Sequence, residues 1–247
     1  MSKCRFCAKV LRWLGMEPGL GCETVLRSHW DESDAWERAH SNDDELWWKD
    51  SDRNRALIDE AYDRRDADPE GAFKMFVEAA EAGSPRAMET VGSYYETGTV
   101  VTADFDQAAD HYYRAICAGS WMATIAYARL LATHGDVDKC EAVLRDGVEL
   151  DFVPAYFWLA WLRYERSPTR ATGRAIRPLL DYAAKRGHPG AKKTLGTLMA
   201  KGKFGLLAIP RGLKLIHETM PPILRADAAA AAANRLKGRA LKAAAQE

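Results

Sequence analysis

The 247-residue sequence predicts an all-α protein, an α-solenoid of about four to five stacked helix-turn-helix repeats. One motif recurs as Ala-Gly-Ser-Pro-Arg-Ala at 82–87, Ala-Gly-Ser-Trp-Met-Ala at 118–123 and Arg-Gly-His-Pro-Gly-Ala at 186–191, with a glycine-free variant at 150–155. The last alanines of these motifs lie 36, 32 and 36 residues apart. Such a period indicates helical pairs that bury their apolar faces by stacking on neighbouring pairs.

Local signals predict the helix boundaries of the first pairs. Helical periodicity is strong at 55–62, breaks before Pro69 and resumes from 70 to 82. Asp68 before Pro69 is typical of a helix start, because the carboxylate can cap the first turn and proline suits its first position. Gly83 is typical of a helix end, since glycine adopts the left-handed conformation at no steric cost.

A second regularity predicts how the two helices of each pair pack. Four residues after each motif alanine comes a large side chain, and a small residue follows it directly. The small residue would let the second helix of the pair approach closely. The residues concerned are Val91 and Gly92, Tyr127 and Ala128, Leu159 and Ala160, and Leu195 and Gly196.

Three parts of the chain are expected. An N-terminal cap segment (1–54) would hold a basic amphipathic helix over 3–14 and then an acidic stretch rich in tryptophan. The repeats would span 55–220. A basic, alanine-rich tail (221–247) would follow, helix-prone but with few large apolar side chains to dock it.

The best-formed unit, 87–123, carries a family resemblance. It begins Ala-x3-Val-Gly-x2-Tyr-x2-Gly-x-Val, continues with Asp-x-Asp-Gln-Ala, and ends in Ala-Gly before the next motif alanine. This pattern resembles the Sel1-like repeat, a relative of the tetratricopeptide repeat, and the resemblance covers roughly 55–217. It implies a scaffold for protein–protein contacts with no chemistry of its own.

The residues themselves also predict a protein that is not an enzyme. The six histidines are scattered, and the sequence lacks a nucleophile elbow, a phosphate-binding glycine loop and a His-Glu-x-x-His metal motif. We therefore expect an adaptor without a cofactor or a small-molecule substrate. Its partner would be another protein, or a peptide segment, bound along the concave face of the repeats.

The partner site is predicted on the side of the first helices that repeat packing leaves free. Phe157, Trp161 and Tyr164 would supply the main contacts, because aromatic residues are favoured in interfaces. The alternative for these aromatic residues is that they fill the core between repeats. Charged residues on either side would orient the partner. The full predicted set is Glu89, Ser93, Glu96, Arg129, Phe157, Trp161, Tyr164, Lys192 and Lys193.

The charge distribution leaves a second class of function open. Residues 31–162 carry 28 acidic and 12 basic side chains, whereas 163–247 carry 18 basic and 5 acidic ones. The basic end could bind nucleic acid or an anionic membrane surface.

The cysteines leave a third class open. Cys4 and Cys7, with Cys22 and His29, could bind zinc or respond to redox conditions, although one Cys-x2-Cys is a weak signal. The odd total of five cysteines favours a reducing compartment. No apolar run is long enough for a secretory signal or a membrane span, so we expect a cytoplasmic protein.

Overall fold

The structure is a computed structural model that describes residues 35–219. These residues belong to two compact units, Ala35–His188 and the described part of a second one, 189–219. After a helical turn at 35–39, the first unit contains α1 (Asp43–Lys49), α2 (Asp52–Arg64), α3 (Pro69–Glu81), α4 (Pro85–Thr97), α5 (Phe105–Cys117), α6 (Trp121–Thr133), α7 (Val137–Glu149), α8 (Val153–Arg166) and α9 (Arg170–Lys185). The second contains α10 (Pro189–Ala200), a 3₁₀ turn (Leu206–Ala208) and α11 (Ile209–Thr219).

The helices pack as pairs, in agreement with the predicted repeat. In the first unit α2 packs on α3, α4 on α5, α6 on α7 and α8 on α9, and the end of each pair packs on the start of the next. In the second unit α10 packs on α11. No strand is present between residues 35 and 219. The prediction of an all-α protein of four to five helical pairs is confirmed.

The recurring motif ends one helix and caps the next. Gly83 has a φ of +96°, in the left-handed region where a side chain would be strained. The Ser84 hydroxyl then accepts a hydrogen bond from the Ala87 N–H at 3.4 Å. Gly119, with a φ of +95°, and Ser120 repeat this arrangement at the next joint. The motif alanines are fully buried at all four joints, at Ala87, Ala123, Ala155 and Ala191.

The glycine-free variant of the motif places Asp151 where the others have glycine. Its φ is +56°, and it is the one non-glycine residue with a positive φ in the described range. A short polar side chain tolerates this conformation better than a bulky one. Tyr182 and Tyr156 donate hydrogen bonds to its carboxylate, and together with Arg186 they hold the pKa of Asp151 below its usual range. The turn is therefore held by side chains.

Glycine permits the close approach of α4 and α5. A Cβ atom on Gly92 would lie 2.9 Å from the ring of Tyr112, well inside van der Waals contact. Tyr112 is almost fully buried. The prediction that a small residue at this position lets the paired helices approach is confirmed.

Two predicted segments lie outside the described residues. They are the N-terminal helix over 3–14, with the zinc-ligand candidates Cys4, Cys7, Cys22 and His29, and the alanine-rich tail 221–247. Both stay predictions. None of the helices between residues 35 and 219 is long and apolar enough to cross a membrane.

Candidate partner-binding surface

Residues 35–50, here named the strap, lie across the joints between the helical pairs of the first unit. Asn42 is the clearest contact, because its side-chain amide donates to the carbonyl of Gly119 at 2.8 Å and its oxygen accepts from the Trp121 N–H at 3.1 Å. Leu46 packs against Gly119, because a Cβ atom placed on this glycine would lie 3.8 Å from the Leu46 side chain. The strap thus binds backbone groups that the repeat itself leaves at the start of α6.

Glu37 attaches the strap to the fourth joint. Its carboxylate is fully buried and accepts a hydrogen bond from the Trp158 indole N–H at 3.1 Å. Nε2 of His188, also fully buried, is 3.2 Å from the same oxygen. Trp36 lies edge-on to the His188 ring, with centroids 5.0 Å apart. Burial removes the Glu37 carboxylate from water, and hydrogen bonds to protein groups replace those it would make with water.

A polar cleft of about 600 Å³ borders the strap in the first unit. Arg38 of the strap contributes one wall, where its guanidinium is 3.3 Å from Glu89 and 3.6 Å from Asp43. Burial raises the pKa of Glu89, and Arg38 offsets part of that effect. The residues lining the cleft are Arg38, Tyr62, Arg65, Arg86, Glu89, Thr90, Ser93, Tyr94, Thr97 and Thr99.

Two further arginines of the cleft face one aromatic ring. The guanidinium carbon of Arg86 is 5.7 Å from the Tyr62 ring centroid, and that of Arg65 is 5.9 Å from it. Arg86 also lies over the ring of Trp47, at 5.2 Å. Aromatic faces stabilise cations and hold the planar guanidinium in a fixed orientation. The cleft therefore presents two oriented cations.

Three of the predicted partner-binding residues lie on α4, and two of them line the cleft. Glu89 and Ser93 face it, and Ser93 is exposed. Glu96 accepts a hydrogen bond from the Tyr112 hydroxyl at 2.6 Å, which ties its carboxylate to the α4–α5 packing. Burial, followed by this hydrogen bond, raises the pKa of Tyr112.

The predicted aromatic contacts differ in exposure. Phe157 is only 8% exposed and packs against the rings of His188 and Trp158, so it offers little surface to a partner. Trp161 is half-buried and lies edge-on to Trp158 at 5.7 Å. Tyr164 is half-buried as well.

The remaining predicted residues are basic. Arg129 lines a small cavity of about 20 Å³ together with Trp158 and Trp161. Lys192 and Lys193 lie on α10 in the second unit, where both are half-buried.

Sequence reasoning missed the arginines and the two tyrosines of the cleft. Arg38 lies in the strap and Arg65 just beyond the end of α2, so neither occupies a position that the repeat spacing singles out. Arg86 directly precedes the motif alanine of α4, and a wider window around that alanine would have included it. The pairing of Glu37 with His188 had no signal in a single sequence.

The described residues show no arrangement typical of metal chemistry. No group of three histidine, cysteine, aspartate or glutamate side chains between residues 35 and 219 could hold a metal ion.

Comparison with known proteins gives a fold relationship. No protein-family model matches the sequence, and no curated protein matches it either. Among solved structures, a Sel1 repeat protein from Oxalobacter formigenes is 21% identical, with a TM-score of 0.56 over 68% of this chain and 74% of that one. A protective antigen of uropathogenic Escherichia coli strains, which displays an SLR fold, is 18% identical, with a TM-score of 0.56 over 71% of this chain and 39% of that one.

Both similarities, together with the motif spacing and the paired helices, lead to one conclusion. The chain has the helical-repeat fold of Sel1 repeat proteins, as the pattern at 87–123 predicted.

Proposed function

We propose that this protein is a non-enzymatic scaffold that binds a segment of another protein in the cleft beside the strap. Folds of the Sel1-like kind are commonly protein-interaction scaffolds. The observation that carries the proposal is the strap itself, because a stretch of polypeptide is already bound across the repeat joints. Asn42 and Glu37 attach it through hydrogen bonds of a kind that a partner segment could also form.

The cleft suits a protein segment in size and chemistry. Its volume of about 600 Å³ lies within the roughly 300–1,000 Å³ of typical ligand pockets. Its walls combine guanidinium groups with the hydroxyls of Ser93, Thr97 and Thr99, which can meet backbone as well as side-chain groups of a ligand.

The predicted surface along α6 and α8 could extend the contact. Trp161 and Tyr164 are half-buried, so part of each ring is available to a partner. Arg129, beside Trp161, would add charge selectivity. Lys192 and Lys193 would be further partner contacts, and the second unit would contribute them by itself.

We also propose that the scaffold acts in the cytoplasm. Cys117 and Cys140 are free thiols, which a reducing compartment maintains. Binding of nucleic acid or anionic membranes by 221–247 is the alternative, and it predicts a steep salt dependence that is lost when residues 225–247 are deleted.

Site-specific photo-crosslinking in the native cell tests the proposed function. A photoreactive phenylalanine analogue replaces Ser93 in the cleft, and a matched variant carries it at Arg145, an exposed position on α7 outside the cleft. We expect a discrete adduct with one protein from position 93 and none from position 145. Equal adducts from both positions, or none from position 93, would contradict a partner site in the cleft.

A further inference from the structure

We infer that the cleft receives one anionic side chain of the partner segment, a carboxylate or a phosphate ester, near Arg65 and Arg86. This inference rests on the proposed function, because the anion is taken to be part of a bound protein segment. It adds the chemical class of the group that the site selects.

The charges of the cleft do not balance. Its walls contain three arginines and one glutamate. Arg38 contacts Glu89 and Asp43 directly, whereas Arg65 and Arg86 contact neither. Arg86 makes no ion pair within 4.0 Å in the described range and acts on both carboxylates only at longer range, where its charge opposes the rise in their pKa that burial causes.

Arg65 has only a weak charge partner. Among the described residues it pairs with the carboxylate of Asp66, which is 3.7 Å away and 95% exposed, so water screens the pair strongly.

Both arginines line the cleft around Tyr62. Each guanidinium group lies within 6 Å of the Tyr62 ring centroid, and both side chains are exposed. An anion beside this ring would be attracted by both. Planar guanidinium groups also match the oxygen atoms of carboxylates and phosphates in two-point hydrogen bonds.

Hydroxyl groups complete the set of donors. Tyr94 lines the same cleft, and its phenol, which is protonated at neutral pH, can donate a hydrogen bond. Ser93 is exposed at the wall and its hydroxyl can rotate toward a ligand. An oxyanion with several acceptor lone pairs could be bound from more than one side.

The surroundings predict what flanks the anionic group. Between residues 35 and 188 the sequence carries 27 acidic and 19 basic side chains, so the unit as a whole repels a strongly acidic ligand. The two arginines act at short range, whereas the acidic excess acts on whatever extends beyond the cleft. The segment that fits best therefore has a single anionic side chain with basic or neutral neighbours.

Peptide titrations of the full-length protein test this inference. Three ten-residue peptides have the same lysine-containing flanks and differ only in the central residue, which is phosphoserine, glutamate or glutamine. A fourth, all-glutamate peptide and inorganic phosphate serve as further probes. Binding is measured by fluorescence anisotropy, and NMR of the arginine Nε–H groups locates it.

We expect the phosphoserine and glutamate peptides to bind about tenfold more tightly than the glutamine peptide and to shift the Arg65 and Arg86 signals. The all-glutamate peptide should bind more weakly than either. Arg86→Gln should abolish the preference for the anionic centre, and Arg145→Gln, which removes one exposed arginine outside the cleft, should leave it intact. Arg65→Gln is the second test, since this side chain is 54% exposed and its loss should not affect folding.

Equal affinity for the three matched peptides, unchanged by Arg86→Gln, would overturn the inference while leaving the crosslink from position 93 as support for the proposed function. Shifts with inorganic phosphate alone, without peptide binding, would overturn a protein segment as the source of the anion. The absence of all binding would overturn the inference as well, and the crosslinking result then decides whether the proposed function also fails.

Discussion

His188 Nε2 lies 3.2 Å from Glu37 Oε1, although the two residues are 151 positions apart and both side chains are fully buried. Trp158 donates to the same carboxylate oxygen. A polar contact of this kind, made by a residue before the repeats and a residue in the last joint of the first unit, fixes the path of the strap. It also makes the strap part of the folded unit.

Loss of the Glu37 carboxylate should destabilise the protein. Glu37→Ala removes the acceptor for Trp158 and His188 in a buried site, and we expect the free energy of unfolding to fall by about 3 kcal/mol. Urea unfolding followed by tryptophan fluorescence measures it. Glu45→Ala is the control, because that strap side chain is 63% exposed and its loss should cost under about 0.5 kcal/mol. Equal effects of the two variants would contradict a structural role for Glu37.

Asn42 should hold the middle of the strap against the second joint. Asn42→Ala loses the hydrogen bonds to the Gly119 carbonyl and the Trp121 N–H, and we expect a loss of about 1–2 kcal/mol. Amide hydrogen exchange within 35–50 should accelerate while exchange in α4 and α5 stays slow. Asn42→Asp keeps the acceptor for Trp121 but sets a carboxylate oxygen against the Gly119 carbonyl, so it should lose at least as much stability as Asn42→Ala. Uniform acceleration throughout the unit would show that the strap does not open separately.

For Gly92→Ala, whether the protein gains or loses stability tests how closely α4 packs on α5. In an isolated helix, Gly→Ala stabilises by about 1 kcal/mol. Here the new methyl group would lie 2.9 Å from the buried ring of Tyr112, so we expect Gly92→Ala to destabilise by about 2 kcal/mol. Thermal unfolding followed by circular dichroism measures this, with Ser93→Ala on the exposed neighbouring position as the control. Stabilisation by Gly92→Ala would mean that α4 and α5 are less tightly packed than described.

His111 should make stability depend on pH. This α5 side chain is 8% exposed and stacks on Tyr95, and burial, followed by the charge of Arg114, lowers the pKa of His111 below 6.5. The unfolded chain therefore binds the proton more tightly than the folded one, so the contribution of His111 to stability is present above about pH 6.5 and declines as the pH falls.

The difference in unfolding free energy between pH 7 and pH 5 should be smaller in His111→Phe than in wild type. His217→Gln is the control, because the His217 side chain on α11 is exposed, and it should keep the wild-type difference. Identical pH profiles for wild type and His111→Phe would contradict the assignment.

The repeat was predictable because its information is local and periodic. Gly83 and Ser84 end one helix and cap the next within a few residues, and Gly119 and Ser120 repeat both signals at the second joint. Gly92 marks a close helix contact for the same reason. At the third joint Asp151 replaces the glycine, and its left-handed backbone shows that the turn is kept although glycine is absent.

Within the candidate site, the same periodicity selected Glu89 and Ser93, and both line the cleft. It left open whether Phe157, which is mostly buried, belongs to the core or to the surface, because that choice depends on which neighbour covers an aromatic ring.

The sequence by itself therefore determined the helical pairs, their joints and the face of α4 that lines the cleft. Only the tertiary structure decided the course of the strap, the burial of Glu37 beside His188 and the convergence of Arg65 and Arg86 on Tyr62. The reason is physical. Helix caps and packing positions depend on residues a few places apart and recur with the repeat, whereas these contacts are single long-range encounters that leave no period in the sequence.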